Sequence, residues 1–372
     1  MVKFKEFLKW FKTNLMTTTN GMAIGLFGTL IIGTIIDLFA KIPHLEGIAV
    51  WSNVVKGLMG AGIGLGVALS KKRSGVAVVA AMAAGLIGNY AFIWVQHEMI
   101  TSGGAIASQW SVSSIGDPLS CYIASIIGLL AIKFVMRKKT PVDLILVPLV
   151  GIVAAMAYSF LLAEWVHFIT VFIGWLIEIS FNVIPFLMCI IISVLVGMAL
   201  TAPISSVAIC VAISIGNVPL AAAAALIGCS TQMVGFAIHT ARDNKWGSII
   251  AVGIGTSMLQ FKNILKKPLI WLPTIITSAI LGPFAMLMPL NDQAFYAENG
   301  LVSTLSVGAG MGISGLVGPI NFLSAHNFDW VMILEIIAFC IIAPALLVFL
   351  IDLLFRKIGW IKKGDFSLQS DL

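Results

Sequence analysis

The sequence predicts an all-α polytopic membrane protein with about ten transmembrane helices and two re-entrant hairpin segments. Three observations carry this. Of 372 residues, 59% are hydrophobic and only 10% charged, against about 25% charged in a soluble domain; the mean hydropathy is +1.05. Runs such as Gly21–Ala40, Ser74–Gln96 and Val331–Phe355 reach the roughly 20 residues a bilayer core requires. The basic residues gather in short clusters beside those runs, as the positive-inside rule expects. The formal net charge of +6 therefore speaks for membrane topology and against nucleic-acid binding.

The first segment, residues 1–20, sets Phe4, Phe7, Leu8, Phe11 and Leu15 on one helical face and Lys3, Lys5, Lys9 and Lys12 elsewhere. This predicts an amphipathic helix on the inner membrane surface. Residues 21–163 then read as five regular crossings: Gly21–Ala40, Gly47–Ser70, Ser74–Gln96, Leu119–Met136 and Val142–Ala163. The clusters Lys71-Lys72-Arg73 and Arg137-Lys138-Lys139 fall between crossings on the inner side, whereas the loop 97–118 carries no Lys or Arg. The stripe Gly60, Gly62, Gly64 and Gly66 suits close helix packing and is a candidate subunit interface.

Residues 164–355 are less regular. Three crossings are expected at about 165–184, 186–204 and 207–239, returning the chain inside at Arg242 and Lys245. The next cluster, Lys262, Lys266 and Lys267, must also lie inside. The 15 residues from Gly247 to Phe261 would rise only about 22 Å as a helix, too little for a core of about 30 Å. Parity and length therefore make 247–262 re-entrant. Leu269–Leu290 goes out to the acidic "NDQAFYAENG", and Trp330–Phe355 ends inside at Arg356 and Lys357. For this parity to hold, 301–326 must be re-entrant too. Residues 356–372 form a cytoplasmic tail, so both termini are expected in the cytoplasm.

Irregular backbone at membrane depth is tolerated where protein buries it or water fills a cavity, and broken helices offer free backbone groups to a substrate. The first re-entrant segment contributes Gly255, Thr256, Ser257, Gln260 and Asn263 as candidate substrate ligands, and the second Ser314 and Asn321. Both contain G-x-G-x-S, at Gly253/Gly255/Ser257 and Gly310/Gly312/Ser314. Hydroxyls and amides both donate and accept, which suits a small neutral polar solute. Gln232 and His239 lie seven residues apart on one face of the preceding crossing, and Glu335 sits within the last; intramembrane ionisable residues are candidate functional groups. The five cysteines are scattered singly, with no CxxC pair and no metal-ligand spacing, so neither a metal nor a cofactor is expected.

"NVPLAAAAALIGCSTQMVGFA" (217–237), "GIGTSMLQFKNILKKPLIWLPTIITSAILGPFA" (253–285) and "GMGISGLVGPI" (310–320) resemble the membrane IIC subunits (EIIC) of the bacterial phosphotransferase system. The nearest likeness is to the branch that includes perfringolysin-O regulator-like proteins. The resemblance covers most of 180–330. It implies a homodimer in the bacterial plasma membrane, with 21–163 as dimer-forming domain, 164–355 as transport domain, and access alternating as the transport domain moves. It also implies IIA and IIB partners, separate here because the chain ends 17 residues after the last crossing, and a sugar phosphorylated by a phosphocysteine on IIB. In glucose-type relatives a glutamate in a "GITEP"-like hairpin motif helps to hold the sugar. The counterpart here is Gly312-Ile313-Ser314-Gly315-Leu316, with Gly315 where the glutamate would stand. Two other readings stay open at this point: a transporter on the same scaffold that does not phosphorylate its solute, and a ligand-sensing membrane regulator.

Overall fold

The computed structural model describes residues 14–15, 17–40, 44–45, 47–96, 108–114, 116–135 and 141–368. Most of the expected amphipathic segment 1–20, the loop between the strands described below and the cluster at 137–139 lie outside the described residues.

The expected helical, multi-spanning architecture is present. Seven described helices are long and apolar enough to cross a membrane, or eight if one bent pair is counted as a single span. The chain runs through α1 (Thr17–Asp37), α2 (Ile48–Gly57) and α3 (Met59–Ser70), the last two bent by 46° at their junction. Next comes α4 (Val76–Ile87). Here the structure departs from the expected single helix over 74–96: a two-stranded antiparallel hairpin follows, β1 (Tyr90–Gln96) with β2 (Ser108–Ser114). Its β-branched and aromatic run "YAFIWV" fits a strand better than a helix. Asp117 then starts α5 (Pro118–Val135), its carboxylate accepting from the Leu119 N–H at 3.0 Å in the usual manner of a helix cap. α6 (Asp143–Leu161) completes this half.

The glycine stripe of α3 is consumed inside the subunit. A Cβ on Gly62 or Gly66 would strike Gly25 and Gly21 of α1; one on Gly60 or Gly64 would strike Gly85 and Ala81 of α4. Alternate glycines thus serve two neighbours, and the stripe is not available to a second copy.

α7 (Ala163–Ser180) joins the halves. Thr170 donates to Asp117 at 3.0 Å on one side, and Gly174 faces Ile209 and Ile213 on the other. The second half is organised around α10 (Pro219–Ala241), in which every residue from Ala221 to Ala237 is buried. Pro219 suits the first helical turn, and Ala221–Ala225 combines the highest helix propensity with the smallest apolar side chain. Neighbouring backbones therefore reach it closely: a Cβ on Gly228 would lie 2.0 Å from the Ser193 carbonyl oxygen.

Three interrupted helices pack on α10. The first is α8 (Pro185–Thr201) with its return arm α9 (Ser206–Ala212) and the turn 215–217. Its register on α10 decides its direction. Ser193 meets Gly228, Val196 meets Cys229 and Thr201 meets Gln232, so α8 and α10 run parallel. Parallel neighbours need a return connection, and α9 supplies it: Ser206 donates to the Gly310 carbonyl at 2.7 Å, whereas Gly216 reaches Ser306 at 3.0 Å. The three crossings expected over 165–239 are therefore arranged otherwise: the linking helix α7, a broken pair and one long span.

The second interrupted element is α11 (Trp246–Gly255), a break at Thr256 and α12 (Phe261–Lys266). α13 (Pro268–Leu287) follows, then the short α14 (Gln293–Glu298). The third is α15 (Val302–Met311), a turn, and α16 (Val317–Ala325). α17 (Trp330–Ile358) is the last span. Residues 360–368 then fold back on the protein: Ile361 and Phe366 are buried with Phe236, Val252, Ile264 and Phe355.

Candidate functional site

The tips of the three interrupted elements meet beside Gln232. At the second tip, Thr256 adopts extended φ/ψ (−159°, 135°) and its hydroxyl accepts from the Met258 N–H at 3.2 Å. This ends one helix and caps the next. At the third tip, Gly312 has φ 54° and ψ −138°, a conformation reserved for glycine, and a Cβ there would lie 2.7 Å from the Cys229 Cβ. The backbone of this turn thus rests directly on α10. Gly315 (φ 53°) and Leu316 (φ 61°) are also left-handed.

A buried hydrogen-bond network links the tips. Thr201, at the end of α8, pairs with Ser257 at 2.8 Å. Ser314 donates to the Gly255 carbonyl at 2.7 Å. The Gln232 side-chain oxygen accepts from Trp271 Nε1 at 3.0 Å and from the Thr274 hydroxyl at 2.9 Å. The indole can only donate, which fixes the orientation of the amide. Gln232 Nε2 in turn donates to Ser278 at 3.3 Å. All of these except Trp271, which is half-buried, are buried, and none carries a charge. The arrangement can exchange hydrogen bonds with hydroxyl groups; it contains no acid, base or nucleophile poised for covalent chemistry.

The structure brings five of the sequence-predicted site residues to this point: Gln232, Gly255, Thr256, Ser257 and Ser314. Gly255 faces the Phe27 ring of α1, which a Cβ would approach to 2.2 Å. Sequence reasoning missed Thr201, Trp271, Thr274 and Ser278. The only signal for them was a hydroxyl or indole at helical spacing within apolar runs.

Three others sit elsewhere, under the folded-back tail. Gln260 Nε2 donates to Thr240 at 2.7 Å and to the Phe366 carbonyl at 3.0 Å. Asn263 donates to the Gln260 side-chain oxygen at 2.7 Å and to the Ser367 carbonyl at 3.1 Å. His239 bonds Asp352 at 2.9 Å and stacks on the Phe366 ring, centroids 4.4 Å apart. Asp352 also holds Arg356 at 2.7 Å. Asn244 and Lys267, at the two ends of the second interrupted element, both contact the same tail, through Phe366 and Asp365 respectively.

Asn321 lies near the base of the third element. It donates to the Thr304 carbonyl at 3.2 Å and lines a cavity of about 490 Å³ together with Ser303, Thr304 and Ser324. Glu335 is half-buried on α17, and one carboxylate oxygen is buried without a hydrogen-bond partner among the described residues. It joins neither cluster. Among the described residues there is no group of three or more His, Cys, Asp or Glu able to hold a metal ion.

A bundle of spanning helices with interrupted elements meeting at a neutral polar centre defines the class: a polytopic carrier for small solutes. The chain belongs to the phosphotransferase system EIIC family, whose model matches residues 16–368. It is a membrane transport permease subunit of that system. No curated protein and no solved structure matches the chain.

Proposed function

We propose that the protein moves a sugar or other small neutral polar solute across the bacterial plasma membrane by alternating access. It works as a homodimer with separate IIA and IIB proteins, and both termini are cytoplasmic. Residues 164–355 form the moving domain, in which 247–262 and 301–326 enter and leave by one side. The observation that carries this reading is the meeting of three interrupted helices at Gln232, Ser257 and Ser314, all neutral and buried. A sugar hydroxyl can replace each hydrogen bond these side chains make to Thr201, the Gly255 carbonyl, Trp271, Thr274 and Ser278, so binding strands no buried donor or acceptor. For 247–262, support comes from the tail, which touches both its flanks.

A second reading has its own support. The turn that would hold the family's glutamate presents Gly315, left-handed, against Ile35 and Thr34 of α1, and brings no carboxylate to the solute. This favours transport without phosphorylation on the same scaffold. Uptake of labelled neutral hexoses and polyols into proteoliposomes separates the two. Accumulation of a phosphorylated sugar only with phosphorylated IIB present supports the first reading. Equal uptake of unmodified solute without IIB supports the second. No uptake of any neutral solute under either condition overturns both.

A further inference from the structure

The first half of the chain holds a charged cavity that the transport centre does not use. It lies between α3 and α5, near Asn14 ahead of α1, and measures about 360 Å³. Lys71, Arg73 and Lys133 line it. Among the described residues none of these cations pairs with a carboxylate; Lys71 instead donates to the Asn14 side-chain oxygen. Burial lowers the Lys71 pKa, and the charges of Lys133 and Arg73 lower it further. Three like charges around one cavity repel one another, and the fold keeps them together. The remaining wall is apolar, with Leu15, Val67 and Leu129. Leu130 lines the cavity and is itself 42% exposed, so the cavity opens along the outer flank of α5.

We propose that this cavity binds a phosphate-bearing anion, and that its occupant is the headgroup of an anionic phospholipid with its acyl chain against the apolar wall. A phosphate oxygen accepts charge-assisted hydrogen bonds from lysine and arginine, relieving the mutual repulsion of Lys71, Arg73 and Lys133. Basic pockets at the ends of spanning helices recognise headgroups in this manner. The apolar wall and the opening along α5 distinguish a lipid from a free ion, which needs neither. The site sits at the end of the molecule that the positive-inside rule places toward the cytoplasm.

The test is thermal unfolding of the purified full chain in neutral detergent, titrated with phosphatidylglycerol, with phosphatidylcholine, or with inorganic phosphate. Phosphatidylglycerol is expected to raise the unfolding temperature saturably, and the other two not to. The triple variant Lys71→Gln/Arg73→Gln/Lys133→Gln should weaken the apparent affinity about a hundredfold, at roughly fivefold per cation. Should the triple variant fail to fold, Lys133→Gln at an exposed position should by itself weaken it about fivefold. Stabilisation by phosphate equal to that by phosphatidylglycerol overturns the lipid as occupant. Equal stabilisation of wild type and variants, or none by any anion, overturns the site.

Discussion

Removing the Phe366 side chain should release the tail while leaving the bundle folded. The ring is fully buried, stacked on His239 with an interplanar angle of 3°, edge-on to Phe236 at 6.4 Å and covered by the Arg356 guanidinium at 5.8 Å. A buried Phe→Ala change costs about 3–5 kcal/mol. In the middle of a chain that cost falls on global stability. At a tail, the docked segment can instead detach, so the loss is capped by its own docking energy. Phe366→Ala should therefore raise hydrogen exchange at the Phe366 and Leu368 amides, now bonded to Asp243 and Asn244, by about a hundredfold or more. The unfolding temperature should fall by much less than that energy implies. Phe366→Leu keeps most of the apolar volume and should give a much smaller increase. The assay is exchange mass spectrometry on peptides covering 360–372, with 219–241 as internal control. Unchanged exchange at 366–368 would refute the reasoning, and so would an equal loss of protection in α10.

Further outcomes follow from other parts of the structure. Gly312→Ala forces a Cβ to 2.7 Å from that of Cys229 at positive φ and should cost several kcal/mol; Gly300→Ala, also at positive φ but in open space, should cost about 1 kcal/mol, both read by thermal unfolding. Burial pushes the His326 imidazole down, and the ring bonds Tyr296 and the Phe322 carbonyl in its neutral form. Its folded pKa lies below the unfolded value of about 6.5, so its contribution is complete above that pH and is lost as pH falls from there. Unfolding temperature measured from pH 7.5 down to 5 should show this loss, and His326→Asn should flatten it. Single cysteines replacing Lys245, Lys266 and Lys362 should label from one side of the membrane and one replacing Glu298 from the other, over an unreactive background of buried native cysteines; Lys245 and Lys266 labelling from opposite sides would remove the re-entrant assignment of 247–262.

Much of this architecture was legible because charge and length are hard constraints. Apolar runs of the length a bilayer needs, bounded by clusters such as Lys71–Arg73 and Lys362–Lys363, marked the spanning helices. The first interrupted helix was not legible. Pro185–Thr201 is a continuous apolar run with the composition of a span, and its turn at 202–205 offers only Pro203 and Ser205 as signals. Residues 179–241 carry no Asp, Glu, Lys or Arg, so charge could not expose the difference. The site was half legible. Glycine, hydroxyl and amide residues in short irregular segments pointed to Ser257, Gln232 and Ser314, because few other roles require them there. Gln260 and Asn263 have the same chemistry, but their partners are backbone carbonyls of Phe366 and Ser367 about a hundred residues away, which no local pattern reveals. Apolar Ile361, Phe366 and Leu368 among the charged residues of the tail were the one hint.

The central claim is that a neutral solute binds where the three tips meet. Its most direct test is a binding screen of neutral hexoses and polyols against the purified protein by thermal shift, followed by titration of any hit on Ser257→Ala and Ser314→Ala. Each variant removes one neutral hydrogen bond while leaving the helix intact, and should weaken binding about two- to thirteenfold, corresponding to roughly 0.5–1.5 kcal/mol. Gln260→Ala, under the tail, should bind the same solute with unchanged affinity. A solute that binds Ser257→Ala and Ser314→Ala as tightly as wild type, but loses affinity in Gln260→Ala, would place the site beneath the tail and contradict the account.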